Sequence, residues 1–239
     1  MSQRTRGRFR QQPAAAPAAA EAAAPDSATA DAPGGVVRAL TPRGLNTRAK
    51  LLRSAHAVFS ETPFVDVRIT DITAHARVAS GTFYTYFDSK EEIFREVAVR
   101  VLEEMSAAPR RAGRSAADAA QDPMRQVEAA TRGYFEAVRQ NARIARSIEE
   151  LQMRESGVGE ARRATLLIGV RRIARWIERL QQEGRCDAAV DPWRTAQVLH
   201  AMNVSVAYDH LVHRSAAEET EELLAATMRI WRSALGLNG

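Results

Sequence analysis

The chain has 239 residues, 45% of them apolar, and a formal net charge of +5, a composition that fits about one large or two modest globular domains. It offers no run of about 18 apolar residues to span a membrane, and its basic start, Met1–Arg10, lacks the apolar stretch of a secretory signal. A single cysteine, Cys186, excludes an internal disulfide framework and predicts a reducing, cytoplasmic setting.

Only Lys50 and Lys90 among the 34 basic residues are lysines. Arg4, Arg6, Arg8 and Arg10 crowd the start with no acid between them, and two readings stand: a solvated tail, or an arm that follows DNA phosphates or the minor groove. Residues 11–35 are Ala, Pro, Gly and small polar residues, the composition of a linker. Residues 1–40 therefore read as an Arg-rich arm and linker, expected to be disordered. Residues 43–90 carry seven basic residues against four acidic ones, a balance that attracts phosphate.

From Thr41 the apolar spacing is helical nearly to the end, and no segment alternates as a strand would. Leu51, Leu52, Ala55, Val58 and Phe59 predict a first helix over Arg43–Glu61, closed by Pro63. Ile69, Ile72 and Ala76 mark a short second helix over Arg68–Ala76, and a turn at Arg77–Ala79 follows. The third element, Ser80 to Phe87, has room for one or two turns at most. Ser89-Lys90-Glu91-Glu92 is a capping box that opens a fourth helix, with Ile93, Phe94, Val97, Val101, Leu102 and Met105 as its apolar stripe. Asp122-Pro123 and Asp191-Pro192 place a cap acceptor before a first-turn proline, and Ser215-Ala216-Ala217-Glu218 is a second capping box. Gly184 and Gly236 read as helix stops. These signals predict further helices over Pro123–Gln140, Ala142–Met153, Gly159–Glu183, Pro192–His213 and Ala216–Leu235. The fold is expected to be all-α, with about nine helices.

Three short helices with a tight turn between the second and third make a helix-turn-helix, whose third helix offers its leading residues to base edges. Ser80-Gly81-Thr82 gives that tip a narrow profile and two hydroxyls; Tyr84 and Tyr86 add phenols, while Phe83 and Phe87 are spaced to point inward. Lys90 adds a charge beside the free amides of a helix start. The run from Ile69 through Thr70, Arg77, Ser80-Gly81-Thr82-Phe83-Tyr84-Thr85-Tyr86-Phe87 to Ser89-Lys90-Glu91-Glu92 resembles the DNA-binding signature of the TetR (tetracycline repressor) family, over about Asn46–Val101. Where that family's turn usually has glycine, this chain has Arg77, at a strain cost if φ is positive.

The resemblance implies a homodimer, two recognition helices on a near-palindromic double-stranded operator, and a C-terminal pocket whose small-molecule effector releases the DNA. Carried over by position, it puts Ser80, Gly81, Thr82, Tyr84, Thr85 and Tyr86 on DNA, with Thr70 and Lys90 on phosphates. It divides the chain into residues 41–90, for DNA, and 91–239, for ligand binding and dimerisation. A repressor is the leading reading, with an activator in the same class. An all-helical ligand-binding or scaffolding dimer without specific DNA binding is the alternative.

The middle helices supply apolar and aromatic residues that fill a core or line a pocket, and Tyr134, Phe135, Val138, Ile148, Leu151, Leu167 and Val170 are the pocket candidates. The arginines there, Arg143, Arg146, Arg162, Arg163, Arg171, Arg172 and Arg175, could attract an anionic effector, but a solvated helix face is the better reading. The last two helices are the dimerisation candidates. Their small-residue stripes run through Ala196, Leu199, Asn203, Ala207 and Leu211, and through Leu223, Ala226, Ile230 and Ala234. His210 and His213 have ligand-like spacing, but a helix-end role suits them better and no metal or other cofactor is expected. No nucleophile–base arrangement or phosphate-cradling loop can be assembled, so no enzyme activity is expected.

Overall fold

Local chemistry sets where each helix begins. In the computed structural model, which describes residues 41–115, 122–214 and 219–237, α1 (Pro42–Glu61) starts at Thr41, whose hydroxyl accepts the Gly44 amide at 3.2 Å. The Asp71 carboxylate accepts the Arg68 amide at 2.8 Å to open α2 (Ile69–His75), and α3 (Ser80–Phe83) is a single turn. At α4 (Lys90–Ser115), Ser89 Oγ accepts the Glu92 amide at 3.1 Å. Glu92 in return accepts the amide of Asp88, one residue further back than a standard capping box reaches. Asp122 and Asp191 cap α5 (Pro123–Gln140) and α8 (Pro192–Ala207), accepting the Met124 and Arg194 amides at 2.9 Å each. Between them run α6 (Ala142–Leu151) and α7 (Ser156–Gln182), and α9 (Thr220–Ala234) ends the series. Gly184 and Gly236, at φ +68° and +64°, stop α7 and α9 as their positions predict. The described residues hold these nine α-helices and no strand. The Arg4–Arg10 arm, the linker and the Ser215–Glu218 box lie outside the described residues.

Three expected boundaries differ by more than a residue: α6 stops at Leu151, α7 starts at Ser156, and α8 ends early. The helix predicted to reach His213 changes register at Tyr208 into a π-helical turn, Tyr208–His213. Wider winding there turns Tyr208, His210, Leu211 and Val212 all inward.

The main core joins α1, α2 and α3 to α4 and carries on through α5, α6 and the π turn. Phe59, Phe64 and Phe94 meet edge-to-face or stacked, with centroids 4.8–5.9 Å apart. Phe83 and Phe87 point inward as their spacing predicts, and both are buried. A second, smaller core lies between α5, α7, α8 and α9 around Ile177, Leu199 and Trp231. Gly133 on α5 permits a close crossing with α4, because a Cβ there would lie 2.7 Å from the Ala112 methyl and 3.2 Å from the Ala108 carbonyl oxygen.

Lys90 is turned into this framework. Its ammonium donates to the carbonyls of Phe64, at 2.7 Å, and Val67, at 2.9 Å, and lies 4.4 Å from the centre of the Phe64 ring. It thereby fastens the α1–α2 loop to the start of α4. Lys90→Met keeps the stem but deletes two charge-assisted bonds, and should lower stability by about 2 kcal/mol in urea unfolding. Unchanged stability would show the loop to be held by packing alone.

Candidate functional site

The segment from α2 to α4 is a helix-turn-helix with a defined turn. The Arg77 amide donates to the Ala74 carbonyl and the Val78 amide to the Thr73 carbonyl, at 3.0 Å each, the bonding pattern of a Schellman motif. Arg77 sits at the left-handed position with φ +49°, the only non-glycine with positive φ among the described residues. Its side chain is exposed, and Val78 packs against the core as the motif's apolar contact.

Beyond the turn, α3 buries Phe83 and shows its other face to solvent. Ser80, Gly81, Tyr84 and Thr85 are exposed, Tyr84 to 60%, and Thr82 is half-buried. Thr70 is exposed on α2. Tyr86 is half-buried against the core, so its ring braces the segment as well as bordering the exposed face. Lys90 differs most from its expected place. Two of its three ammonium donors are spent on backbone carbonyls, which leaves one for a phosphate.

The C-terminal helices enclose a cavity of about 450 Å³ between the end of α4 and α5, α7, α8 and α9. Of the seven pocket candidates only Tyr134 lines it. Val138 and Ile148 are wholly buried in the main core, with Leu151 packed against it. Phe135 borders a separate hollow beside Glu221, Val170 one beside Tyr208, and Leu167 is 38% exposed. The physical reason is that the most apolar positions were drawn into the cores, leaving amphipathic ones around the cavity. The wall contributed by α7 is Arg172, Ile173, Arg175, Trp176 and Arg179, spaced along one helical face. That spacing was visible in the sequence, but its arginines read as solvated.

The far wall is a hydrogen-bonded frame. Trp231 Nε1 donates to Asn203 Oδ1 at 3.1 Å, Asn203 Nδ2 donates to Thr131 Oγ1 at 3.5 Å, and Trp176 Nε1 donates to Gln126 Oε1 at 3.3 Å. The two indoles meet edge-on, 6.3 Å apart. Arg172 donates to the Ser106 carbonyl at 2.9 Å; burial, and then the Arg110 charge, pull its pKa below the usual arginine value. His200 lies against Gly169, where any Cβ would overlap the imidazole. Its Nε2 is buried and has no hydrogen-bond partner among the described residues. Burial, and then Arg172, push the His200 pKa down to about 4, against a weaker opposing effect of the Leu166 backbone. The ring is therefore neutral at physiological pH.

Other candidates separate. His210 is buried with Nε2 3.5 Å from Thr220 Oγ1, whereas His213 pairs with Glu149 at 2.7 Å, so the two do not converge. The Cys186 thiol donates to the Leu235 carbonyl at 3.3 Å, and burial pushes its pKa up. The α8 stripe of Ala196, Leu199, Asn203, Ala207 and Leu211 is corrected as an interface. All five are buried within the protomer, because small residues there let α8 pack on its own neighbours. The exposed side of α8 carries Val198, Ala201 and Ser205 instead, with Trp193 near its start and Ile230 exposed on α9.

Residues 51–97 match the family model for bacterial regulatory proteins of the tetR family. An uncharacterized HTH-type transcriptional regulator, YdgC, from Bacillus subtilis is 38% identical over 55 residues, which is 23% of this chain and 28% of that relative. Two solved structures share the fold over most of both chains. A transcriptional regulator from Rhodococcus sp. Rha1 superposes with a TM-score of 0.64 at 17% identity, covering 80% of this chain and 99% of its own. SmeT, the repressor of the Stenotrophomonas maltophilia multidrug efflux pump SmeDEF, gives 0.58 at 20% identity, covering 78% and 89%. The likeness to these structures shows the all-α fold they share, with a helix-turn-helix at its start. Within it, residues 51–97 are similar to the DNA-binding region of the tetR family.

Two outcomes follow from this geometry. Arg77→Gly should raise stability by about 1 kcal/mol by relieving the left-handed backbone, as read from the urea midpoint; a loss would mean that the side chain contributes more than the strain costs. His200 binds its proton more weakly folded than unfolded, where its ordinary value is 6.5. Stability present above that pH is therefore lost as pH falls toward about 4. His200→Gln should flatten that part of the pH–stability curve, and parallel curves for parent and variant would refute the assignment.

Proposed function

We propose that the protein is a dimeric, cytoplasmic transcription repressor that leaves a palindromic operator when a small molecule fills the cavity beside α7. The exposed face of α3 carries this reading: Ser80, Gly81, Tyr84 and Thr85 stand outside a turn and aromatic core that fix them rigidly. Residues 41–90 act on DNA, with Thr82, Thr70, Tyr86 and the remaining Lys90 donor bordering the contact, and residues 91–239 sense and dimerise. Hydroxyls and a close backbone at a recognition-helix tip suit phosphate and base-edge contacts. A two-fold axis through α8 and α9 would place two such tips on one duplex. Val198, 68% exposed, and Ile230, 51% exposed, are large apolar groups that a partner protomer would cover.

Selection of bound sequences from random duplexes tests the reading. A two-fold symmetric site is the expected product, whereas no enrichment at low salt from folded dimer would favour a ligand-binding dimer without DNA. Tyr84→Phe should weaken binding to that site about five- to tenfold, the loss of one hydrogen bond, with dimerisation intact. Val198→Glu should shift the protein to monomer in analytical ultracentrifugation, and an unshifted dimer would move the interface elsewhere.

A further inference from the structure

The cavity's chemistry goes beyond its existence. Among the described residues that line it, Arg110, Arg172, Arg175 and Arg179 are cationic and none is Asp or Glu. Elsewhere some arginines are ion-paired, as Arg48 with Glu96, Arg95 with Glu155, Arg132 with Glu128 and Glu221, and Arg139 with Glu136, and others are not. None of the four cavity arginines makes an ion pair with a described residue. Arg172 is the most telling of them, because it is half-buried, faces the like charge of Arg110, and has only the Ser106 carbonyl as a hydrogen-bond acceptor. Arg110, Arg175 and Arg179 are exposed, so together with the half-buried Arg172 they give the half-open cavity a cationic rim that attracts an anion.

The rest of the lining is largely apolar and aromatic: Ile173 and Trp176 alternate with the arginines on α7, and Trp231, edge-on to Trp176, and Val127 face them from α9 and α5. A space of about 450 Å³ falls in the range for small organic ligands. His200 Nε2 is buried against Gly169 and has no hydrogen-bond partner among the described residues. It can donate in one tautomer and accept in the other, so the sign of the charge is set by the guanidiniums.

We infer that the cavity selects an organic anion: an acidic head group against Arg172 and its neighbouring arginines, and an aromatic or apolar body against the two tryptophans. This rests on the reading of the cavity as the effector site and adds the chemical class of its occupant. Guanidinium suits a carboxylate, sulfonate or phosphate through paired N–H donors. A cationic ligand would be repelled by these charges, and a neutral one would gain nothing from them.

A matched pair of fluorescent probes tests it on the full chain. Anilinonaphthalene sulfonate carries a negative head group, and N-phenyl-naphthylamine has the same aromatic frame without the charge. The sulfonate should bind at least about tenfold tighter, the expected scale of a charge-assisted hydrogen bond. Arg172→Gln and Arg175→Gln should each remove most of that preference and leave the neutral probe's affinity unchanged. Arg175 is exposed, so its variant keeps the test valid should Arg172→Gln melt early by circular dichroism. Equal affinity for both probes would overturn the anion inference while leaving the cavity as a binding site. Binding of neither would overturn the effector-site reading with it. A sulfonate preference that survives both substitutions would overturn the assignment of the arginines.

Discussion

A single helix is fastened at its start to the helix-turn-helix and borders the cavity at its end, and the rest of the molecule is arranged around that constraint. α4 has 26 residues, roughly 39 Å at the usual rise per residue. At its start, Lys90 and Phe94 are locked into the loop and aromatic cluster that orient the helix-turn-helix. Its middle, through Val97, Val101 and Met105, is buried in the main core, and its last turns reach the cavity at Pro109, Arg110 and Gly113. No residue of α3 needs to touch the cavity for the two to communicate, because one rigid element belongs to the surroundings of each.

The two regions meet opposite electrostatic demands with the same residue type. On the outer surface, some arginines are matched by carboxylates a helical turn away or on a neighbouring helix, as in Arg139 with Glu136 and Arg132 with Glu221. Such exposed pairs contribute little to stability, but they neutralise the surface. Inside the cavity the matching stops. The TetR-family fold can accommodate such a site because helix packing, not ion pairing, holds the C-terminal region together: the second core around Ile177, Leu199 and Trp231 is apolar.

What the sequence disclosed followed from local chemistry. Asp122-Pro123 and Asp191-Pro192 marked two helix starts to the residue and Gly184 and Gly236 marked two stops, while the resemblance left the φ of Arg77 open and the structure makes it positive. Phe83 and Phe87 were assigned inward because their spacing is a helical turn. What stayed hidden depends on residues far apart in the chain. Lys90 bonds carbonyls 26 and 23 positions away, and Arg172 one 66 positions away. Periodicity could not say which side of α8 faces its own protomer, since small residues serve a core as well as an interface. Apolar candidates for the cavity failed for a related reason: hydrophobicity marks burial, whereas a binding space is left where burial is incomplete.

Pro109 gives α4 an uneven stiffness. Lacking an amide, it leaves the carbonyl of Met105 without its usual helical donor, just where Pro109 itself joins the cavity wall. Bending costs least at such a break. A push against Arg110 or Gly113 is spent on this joint, while a push against the stretch before it, where Arg172 grips the Ser106 carbonyl, bears on an unbroken rod ending at Lys90. The part of α4 continuous with Lys90 thus ends just before the proline, at the Ser106 carbonyl that Arg172 holds.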